Sequence, residues 1–197
     1  MPVVYLVRHG ETDFNVAHRL QGRYETSLNA RGRQQARESA AILLSLITRD
    51  QRQPGDYAYV SSPLRRARET MEILRTALGL DPNAYDIDAR LAEISYGAWE
   101  GFTLPEIQAR EPDVLQQRER DKWDFTPPGG ESYRDVARRV AEWYATVTRD
   151  TVVVAHGGVA RVLMANFRIL PGEEATHADI LHGGVYVFSG GAMTRYS

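Results

Sequence analysis

Two histidines follow two apolar segments of the chain at the points where those segments end. Residues 3–7 (Val-Val-Tyr-Leu-Val) lead through Arg8 to His9, and residues 151–155 (Thr-Val-Val-Val-Ala) lead directly to His156. Both segments are short and rich in β-branched residues, which indicates buried strands of a parallel sheet. Ligands of such sheets bind beyond the carboxyl ends of the strands. If the two strands are neighbours, we expect both imidazoles at one sheet edge, where an imidazole can act as nucleophile or as proton carrier.

Arginines and glycines near these histidines favour a phosphate ligand. A third predicted strand, residues 57–60, leads through Ser61 to Arg65 and Arg66, so that one of these arginines should join Arg8 at the same edge. The planar guanidinium group matches phosphate oxygens, and a helix that opens at a glycine pair offers free N–H groups to an anion. An arginine run on a helix is more often a solvated face, and a single strand-end histidine is more often structural. Three such strand ends on one edge together favour a phosphate-processing site.

Other hydrolytic chemistries lack their sequence patterns. The five histidines form no HExxH motif or other clustered ligand set, and Arg8 beside the first of them would repel a cation. The chain contains neither a GxxxxGK[ST] loop nor a GxSxG elbow, which argues against a P-loop nucleotide enzyme and a serine hydrolase. It contains no cysteine, so thiolate nucleophiles and disulfides are excluded. We expect no metal and no cofactor at the site.

The spacing of apolar residues predicts strands that alternate with helices. Asn29 and Ser132 are suitable caps for two of the helices. The predicted strands are residues 3–7, 57–60, 85–87 and 151–155, followed by a hairpin of residues 185–188 and 192–196. The predicted helices are residues 29–49, 63–78, 103–110, 132–148 and 157–167. This order predicts a three-layer α/β/α domain with a largely parallel central sheet, a single domain over residues 1–197 with a loop-rich stretch at 97–130 that could act as a lid.

The charge balance gives no reason to expect a polyanionic partner. The chain has 197 residues, with 24 Lys and Arg against 26 Asp and Glu and a formal net charge of −2. We expect neither nucleic acid nor a membrane surface as partner, and no apolar run reaches the roughly eighteen residues of a membrane helix. The first apolar run is too short for a signal peptide and lacks a basic segment before it, so a cytoplasmic location is expected. The sequence leaves the oligomeric state open, a homodimer included.

Several separated segments resemble the motifs of one enzyme family. In chain order they are Leu-Val-Arg-His-Gly-Glu-Thr at 6–12, Ser-Ser-Pro-Leu-Arg-Arg-Ala at 61–67, Leu-Ala-Glu-Ile at 91–94, Pro-Gly-Gly-Glu-Ser at 128–132 and Val-Val-Ala-His-Gly-Gly at 153–158. They resemble the histidine phosphatase superfamily, also called the phosphoglycerate mutase-like family, and the likeness extends over nearly the whole chain. It implies a phosphoglycerate mutase-like fold and an acid-type histidine phosphatase, a phosphoric monoester hydrolase.

The resemblance implies a role for each of the main matching residues. His9 would be the nucleophile that is transiently phosphorylated, and Arg8, Arg66 and His156 would surround the phosphoryl group. Glu93 would donate a proton to the leaving oxygen and then act as base toward water. We select Arg66 rather than Arg65, because the family's arginine directly precedes the alanine of this motif.

Backbone and amide groups complete the implied site. Asn15 and the backbone of Gly157 would donate hydrogen bonds to the phosphoryl group, and Gln21 and Gly22 would line the substrate entrance. Three histidines match no family motif and are interpreted as structural or surface residues: His18, His177 and His182.

The same site would serve a phosphatase or a mutase, depending on whether water reaches the phosphorylated histidine. The family's mutases resemble longer chains with an insertion before the late helix. This chain is short there, which favours a phosphatase that acts on a small phosphorylated metabolite. The alternatives are a cofactor-dependent phosphoglycerate mutase and a non-catalytic phospholigand-binding module.

Two further groups of residues lie in the stretch between the fourth motif and the late helix. Three cations there could bind a substrate carboxylate, but we favour an exposed, charged helix end as their interpretation: Arg118, Arg120 and Lys122. Three aromatic residues are interpreted as packing anchors of loops, although they could also shape a pocket: Trp99, Trp123 and Phe125.

Overall fold

A six-stranded sheet forms the centre of the computed structural model, which describes residues 2–197. The strands are β1 (Val4–Arg8), β2 (Ala58–Ser61), β3 (Asp86–Ile87), β4 (Thr151–Ala155), β5 (Val185–Ser189) and β6 (Ala192–Tyr196). Their order in the sheet is β3-β2-β4-β1-β5-β6. Strands β3, β2, β4 and β1 are parallel to one another. Strand β5 pairs antiparallel with β1 and with β6, and β5 and β6 form a closing hairpin. The largely parallel sheet predicted from the sequence is therefore confirmed, with β4 in its buried interior.

Helices cover both faces of the sheet. They are α1 (Asp13–Val16), α2 (Ala30–Arg49), α3 (Arg65–Ala77), α4 (Leu104–Arg110), α5 (Pro112–Arg120), α6 (Tyr133–Tyr144), α7 (Gly157–Asn166) and α8 (Gly172–Ala175), with 3-10 turns at Pro54–Asp56, Ala89–Leu91 and Gly97–Trp99. Helices α2 and α3 pack on one face and α6 and α7 on the other, which gives one hydrophobic core on each side. This is the predicted three-layer α/β/α architecture. No helix of residues 2–197 is long and apolar enough to cross a membrane.

Helix α2 shows how the local sequence forms a helix that packs into one of the two hydrophobic cores. The Asn29 side chain accepts a hydrogen bond from the Gly32 N–H at 2.8 Å, which satisfies one free donor of the first turn. Apolar residues three and four positions apart then fall on one face and are buried: Ala36, Ala40, Leu43, Leu46 and Ile47. The helix starts and ends where the sequence predicted.

Three element boundaries differ from the prediction, each for a local reason. Helix α3 begins at Arg65 rather than at Pro63, because Leu64 keeps an extended backbone and donates its N–H to the Ser62 hydroxyl. Helix α6 ends at Tyr144 rather than at 148, where a β-branched run (Thr-Val-Thr at 146–148) disfavours helix. In the loop-rich stretch 97–130, α4 confirms the helix predicted at 103–110, but α5 was not predicted, because it has too few apolar residues to give a periodic signal.

Replacing Leu43 by Ala should destabilise the fold strongly, while the same change at the adjacent Leu44 should not. Leu43 is fully buried between α2 and the sheet, whereas Leu44 is 43% exposed. A buried Leu→Ala change removes apolar contacts and leaves a cavity, which costs about 2–5 kcal/mol. An exposed one on the same helix costs about 0.5 kcal/mol or less. Urea unfolding of the two variants measures the difference, and equal losses would contradict the assigned helix face.

Candidate active site

The two histidines predicted to meet do so at the carboxyl edge of the sheet. Strands β1 and β4 pair in parallel with Arg8 opposite Ala155, so His9 and His156 leave the sheet side by side. The His9 N–H donates to the Ala155 carbonyl at 3.0 Å, and the centres of the two imidazole rings are 5.1 Å apart. Both side chains are buried. The strand pairing alone therefore brings together two imidazoles that are far apart in sequence.

The hydrogen bonds of His9 determine which ring nitrogen can react. Its Nδ1 lies 2.7 Å from the carbonyl oxygen of Gly10, which can only accept, so Nδ1 carries the proton. Its Nε2 keeps a lone pair, which accepts a hydrogen bond from Nε of Arg66 at 3.3 Å. Burial lowers the pKa of His9 well below the ordinary value, and the neighbouring Arg66, His156 and Arg8 lower it further. His9 is thus a neutral imidazole whose unprotonated nitrogen, Nε2, can react as a nucleophile when an anionic ligand takes over the Arg66 donor.

Arg66 is held against His9 by backbone carbonyls. Its Nη1 donates to the Tyr24 carbonyl at 2.9 Å and its Nη2 to the Gly22 carbonyl at 2.8 Å. The side chain is 1% exposed, whereas Arg65 points outward and pairs with Glu69. The structure thus places Arg66, and not Arg65, beside the histidines, as selected from the sequence.

Arg8 supplies a second cation to the same edge. Its Nη1 donates to the carbonyl of Ile180, and its Nε is buried without a hydrogen-bond partner among the described residues. Burial lowers the pKa of Arg8 to about 10, although the nearby Glu93 opposes that shift. The guanidinium is therefore charged at neutral pH, with one donor unused.

His156 is oriented by a serine to which no role was assigned from the sequence. The Nε2 of His156 lies 2.6 Å from Oγ of Ser62, which follows the end of β2 at the same sheet edge. Its Nδ1 is buried and has no partner among residues 2–197. Burial lowers the pKa of His156 well below the ordinary value, and Arg66 and Arg8 add to the effect. The position of Ser62 directly after a strand was the sequence signal that could have identified it.

Glu93 lies at the N-terminus of α7. Its Oε1 accepts hydrogen bonds from the N–H groups of Gly158 and Ile94, both at 3.0 Å. A Cβ atom on Gly158 would lie 2.3 Å from that oxygen, so only glycine permits this approach. The carboxyl group therefore occupies the end of a helix at which anions are stabilised, next to the backbone of Gly157.

The predicted amide residues are linked by one hydroxyl group. Oγ1 of Thr12 lies 3.0 Å from Oδ1 of Asn15 and 2.9 Å from Oε1 of Gln21. With both amide oxygens facing a hydroxyl, the amide N–H groups are the donors left for a ligand. Gly22 adopts φ +49°, and a Cβ there would lie 2.1 Å from Oε1 of Glu100. Residues 12–22 are connected to the site by the hydrogen bond that Arg66 donates to the Gly22 carbonyl.

The structure corrects two interpretations made from the sequence. His182, read as structural or surface, lies with its ring centre 5.5 Å from that of His9 and its Nδ1 3.2 Å from the His9 carbonyl. Arg118, read as exposed, is 8% exposed, and the Nζ of Lys122 donates to the Thr176 carbonyl, whereas Arg120 is exposed as expected. Only the tertiary fold brings His182 beside His9, because His182 lies outside a recognisable motif.

The remaining side-chain expectations concern aromatic residues and metal ligands. Trp99 is 1% exposed and stacks on Phe125, and Trp123 stacks on Tyr133, so all three predicted packing residues pack against other rings. Among residues 2–197 no group of three or more His, Asp or Glu side chains is placed to hold a metal ion. The charge of the site comes from arginines.

Comparison with known proteins identifies the family. The model of the histidine phosphatase superfamily (branch 1) matches residues 4–193. The chain is 39% identical over 180 residues to the glucosyl-3-phosphoglycerate phosphatase of Mycobacterium tuberculosis, which covers 84% of this chain and 75% of that protein. It is 37% identical over 161 residues to a bifunctional protein of the same organism. That alignment covers 82% of this chain but only 40% of the relative's length. The chain belongs to the histidine phosphatase superfamily, as the resemblance of its motifs implied.

Solved structures give the same result for the fold. The structure of a mycobacterial glucosyl-3-phosphoglycerate phosphatase in complex with VO3 is 32% identical, with a TM-score of 0.79 and coverage of 100% of this chain and 96% of that one. The alpha-ribazole phosphatase of Shigella flexneri is 24% identical, with a TM-score of 0.81 over 98% of this chain and 93% of that one. Both relatives are phosphatases by name, and the second likeness concerns the fold alone.

The buried histidines should make the protein less stable as the pH falls. The pKa values of His9, His156 and His182 are all lowered in the folded chain, that of His182 to about 4. The unfolded chain therefore binds more protons below its histidine pKa of about 6.5, and each such histidine costs about 1.4 kcal/mol per pH unit below that value. Urea unfolding between pH 7.5 and 5.5 should show this slope.

A variant pair isolates the contribution of one histidine. His182→Gln should reduce the slope between pH 6.5 and 5.5 by about 1 kcal/mol per pH unit, because one titrating group is removed that is half protonated at pH 6.5 in the unfolded chain. His177→Gln, at an exposed position, serves as the matched control. Equal slopes in the two variants would contradict the lowered pKa of His182.

Proposed function

We propose that this chain is a phosphomonoesterase that works through a phosphohistidine. The observation that carries the proposal is the protonation pattern of His9: Nδ1–H donates to the Gly10 carbonyl, and the unprotonated Nε2 lies beside Arg66, with Arg8 and His156 close by. A neutral imidazole in that setting is an activated nucleophile toward an anionic phosphoryl group. The membership of the superfamily and the names of the relatives support the same reaction class.

The reaction has two steps. His9 Nε2 forms a bond to phosphorus as the bond to the leaving oxygen breaks, and Glu93 transfers a proton to that oxygen. Water then attacks the phosphohistidine and gives a proton back to Glu93, so that inorganic phosphate leaves and His9 is restored. The charges of Arg8 and Arg66 stabilise the transferring group, each donor contributing about 3–4 kcal/mol to the barrier reduction. No step requires a metal ion.

The choice of phosphatase over mutase rests on access of water. The segment between Trp99 and Ser132 contains two short helices, α4 and α5, and no longer insertion that would close over a bound intermediate. We infer that water reaches the phosphohistidine. The name of one relative, glucosyl-3-phosphoglycerate phosphatase, supports a small phosphorylated metabolite as substrate class.

Phosphate release in the presence of a chelator tests the reaction. The purified protein should hydrolyse p-nitrophenyl phosphate in EDTA, and His9→Ala should abolish the activity because the nucleophile is lost. His177→Ala, which removes an exposed histidine, is the matched control and should keep full activity. Quenching in alkaline denaturant, which preserves the acid-labile P–N bond, after a brief incubation with labelled substrate should leave label on the parent protein and none on His9→Ala.

Two results would contradict this proposal. Full activity of His9→Ala would exclude a phosphohistidine intermediate. Loss of activity in EDTA that returns with a divalent ion would exclude a metal-free reaction. Interconversion of 3-phosphoglycerate and 2-phosphoglycerate that depends on bisphosphoglycerate, without phosphate release, would favour the mutase.

The substrate dependence of Glu93→Gln tests its role as proton donor. The alkoxide released from an alkyl phosphate is strongly basic and needs the proton, so kcat/KM, which excludes the later hydrolysis of the phosphohistidine, should fall by about 10²–10⁴-fold for this substrate. Nitrophenolate leaves without a proton, and its release should be much less affected. Glu119→Gln, at an exposed carboxylate, is the control. Equal losses for both substrates would show that Glu93 does not protonate the leaving group.

A further inference from the structure

The peptide group between His9 and Gly10 is held at both of its polar atoms. Its carbonyl oxygen, that of His9, accepts a hydrogen bond from Nδ1 of His182 at 3.2 Å. Its N–H, that of Gly10, donates to Oγ1 of Thr70 at 3.1 Å. The Thr70 hydroxyl in turn donates to the Arg66 carbonyl at 2.8 Å, so a lone pair of its oxygen is left for Gly10. Because a peptide group is planar, these two hydrogen bonds fix the direction of the whole group.

The following carbonyl is the one that decides which nitrogen of His9 carries the proton. It belongs to Gly10 and accepts the Nδ1–H of His9 at 2.7 Å. Its own peptide group is held at the other end, where the Glu11 N–H donates to Oε1 of Gln35 at 2.8 Å. Glycine joins the two peptide groups and lacks the Cβ atom that would limit rotation between them. The Gly10 carbonyl therefore keeps its direction toward His9 only if the first peptide group is held as well.

The backbone on both sides of the His182 side chain is fixed against β1 and α2. The Gly183 N–H donates to the Arg8 carbonyl at 3.1 Å, and the Arg8 N–H donates to the Gly184 carbonyl at 3.2 Å. The Ser39 hydroxyl, on α2, donates to the Gly183 carbonyl at 2.6 Å. The donor of His182 is therefore presented to His9 from a segment that is bonded to the same strand.

The imidazole of His182 contacts the nucleophile without adding charge to the site. The centres of the His182 and His9 rings are 5.5 Å apart, with 57° between the ring planes. A carbonyl oxygen can only accept, so Nδ1 of His182 carries the proton of the ring. Burial lowers the pKa of His182 to about 4, and the charge of Arg8 lowers it further. The hydrogen bond to the His9 carbonyl is therefore made by a neutral donor at neutral pH.

We propose that His182 and Thr70 are positioning residues that keep the proton of His9 on Nδ1 and so leave Nε2 unprotonated for attack on phosphorus. This inference rests on the proposed phosphohistidine mechanism and names the side chains that set the form of its nucleophile. Both act through the backbone of His9 and Gly10 and not on the phosphoryl group.

Two pairs of substitutions separate the hydrogen bonds from the bulk of the side chains. His182→Phe keeps a ring and removes the donor, whereas His182→Asn keeps an amide N–H close to the position of Nδ1. Thr70→Val keeps the volume and removes the hydroxyl, whereas Thr70→Ser keeps the hydroxyl. His177→Phe, the same change at an exposed histidine, is the matched control and should behave like the parent protein. Thermal unfolding curves verify that each variant is folded.

Rapid mixing with labelled substrate, followed by an alkaline quench, measures how fast His9 is phosphorylated. This rate should fall about tenfold in His182→Phe and in Thr70→Val, since one hydrogen bond is worth up to about that factor. In His182→Asn and Thr70→Ser it should stay within about threefold of the parent rate, because the hydrogen bonds remain. The affinity for inorganic phosphate, measured as competitive inhibition, should change little in all four variants, because Arg8 and Arg66 are intact. A general loss of structure would weaken phosphate binding as well.

Nitrogen NMR of the imidazoles gives a readout that needs no turnover. Two-bond proton–nitrogen spectra distinguish a protonated from an unprotonated ring nitrogen, and the His9 signals are those absent from His9→Ala. The parent protein should show the proton on Nδ1 alone. His182→Phe and Thr70→Val should show it shared between Nδ1 and Nε2.

Three outcomes would overturn the positioning role. One is an unchanged tautomer of His9 in His182→Phe and Thr70→Val. Another is an equal loss of rate in His182→Phe and His182→Asn, which would assign the effect to ring packing. The third is a loss of phosphate affinity that parallels the loss of rate. A parent protein that is never labelled would instead refute the phosphohistidine mechanism, and the NMR spectra would still decide whether His182 and Thr70 set the tautomer.

Discussion

The parallel pairing of β1 with β4 is the constraint on which the site depends. Because Arg8 lies opposite Ala155, the residues that follow both strands leave the sheet at the same level. A shift of one residue in this register would turn every side chain of β1 to the other face and separate the two imidazoles. The register is maintained by two hydrophobic cores, one on each face of the sheet, in which alternate residues of both strands are buried. The same strand register therefore determines both the packing of the two cores and the position of the two histidines at the sheet edge.

The site keeps a positive charge because its arginines are held by neutral groups. Burying a guanidinium group costs free energy unless its donors are satisfied. Backbone carbonyls of Gly22, Tyr24 and Ile180 satisfy them without cancelling the charge, as a carboxylate would. Burial lowers the pKa of His9 and His156, and the same charges lower it further. The arginines thus contribute both to the positive charge of the site and to the neutral form of its imidazoles.

The N-terminus of α7 also determines where Glu93 lies. The carboxyl group of Glu93 accepts the N–H of Gly158, at a helix end where an anionic group is favoured. His156 is the residue at which this helix begins. The same helix start therefore fixes the positions of His156 and Glu93 relative to each other.

The sequence alone determined the parts of this protein that depend on neighbouring residues. The strands before His9 and His156, the cap at Asn29, the three-layer order and the family motifs all follow from local pattern, because apolar spacing and capping act within a few residues. It also selected Arg66 over Arg65. The tertiary structure decided the rest. His182 and Ser62 reach the site on segments whose position follows from strand order and helix packing, and the sequence carries no local signal for contacts between residues so far apart.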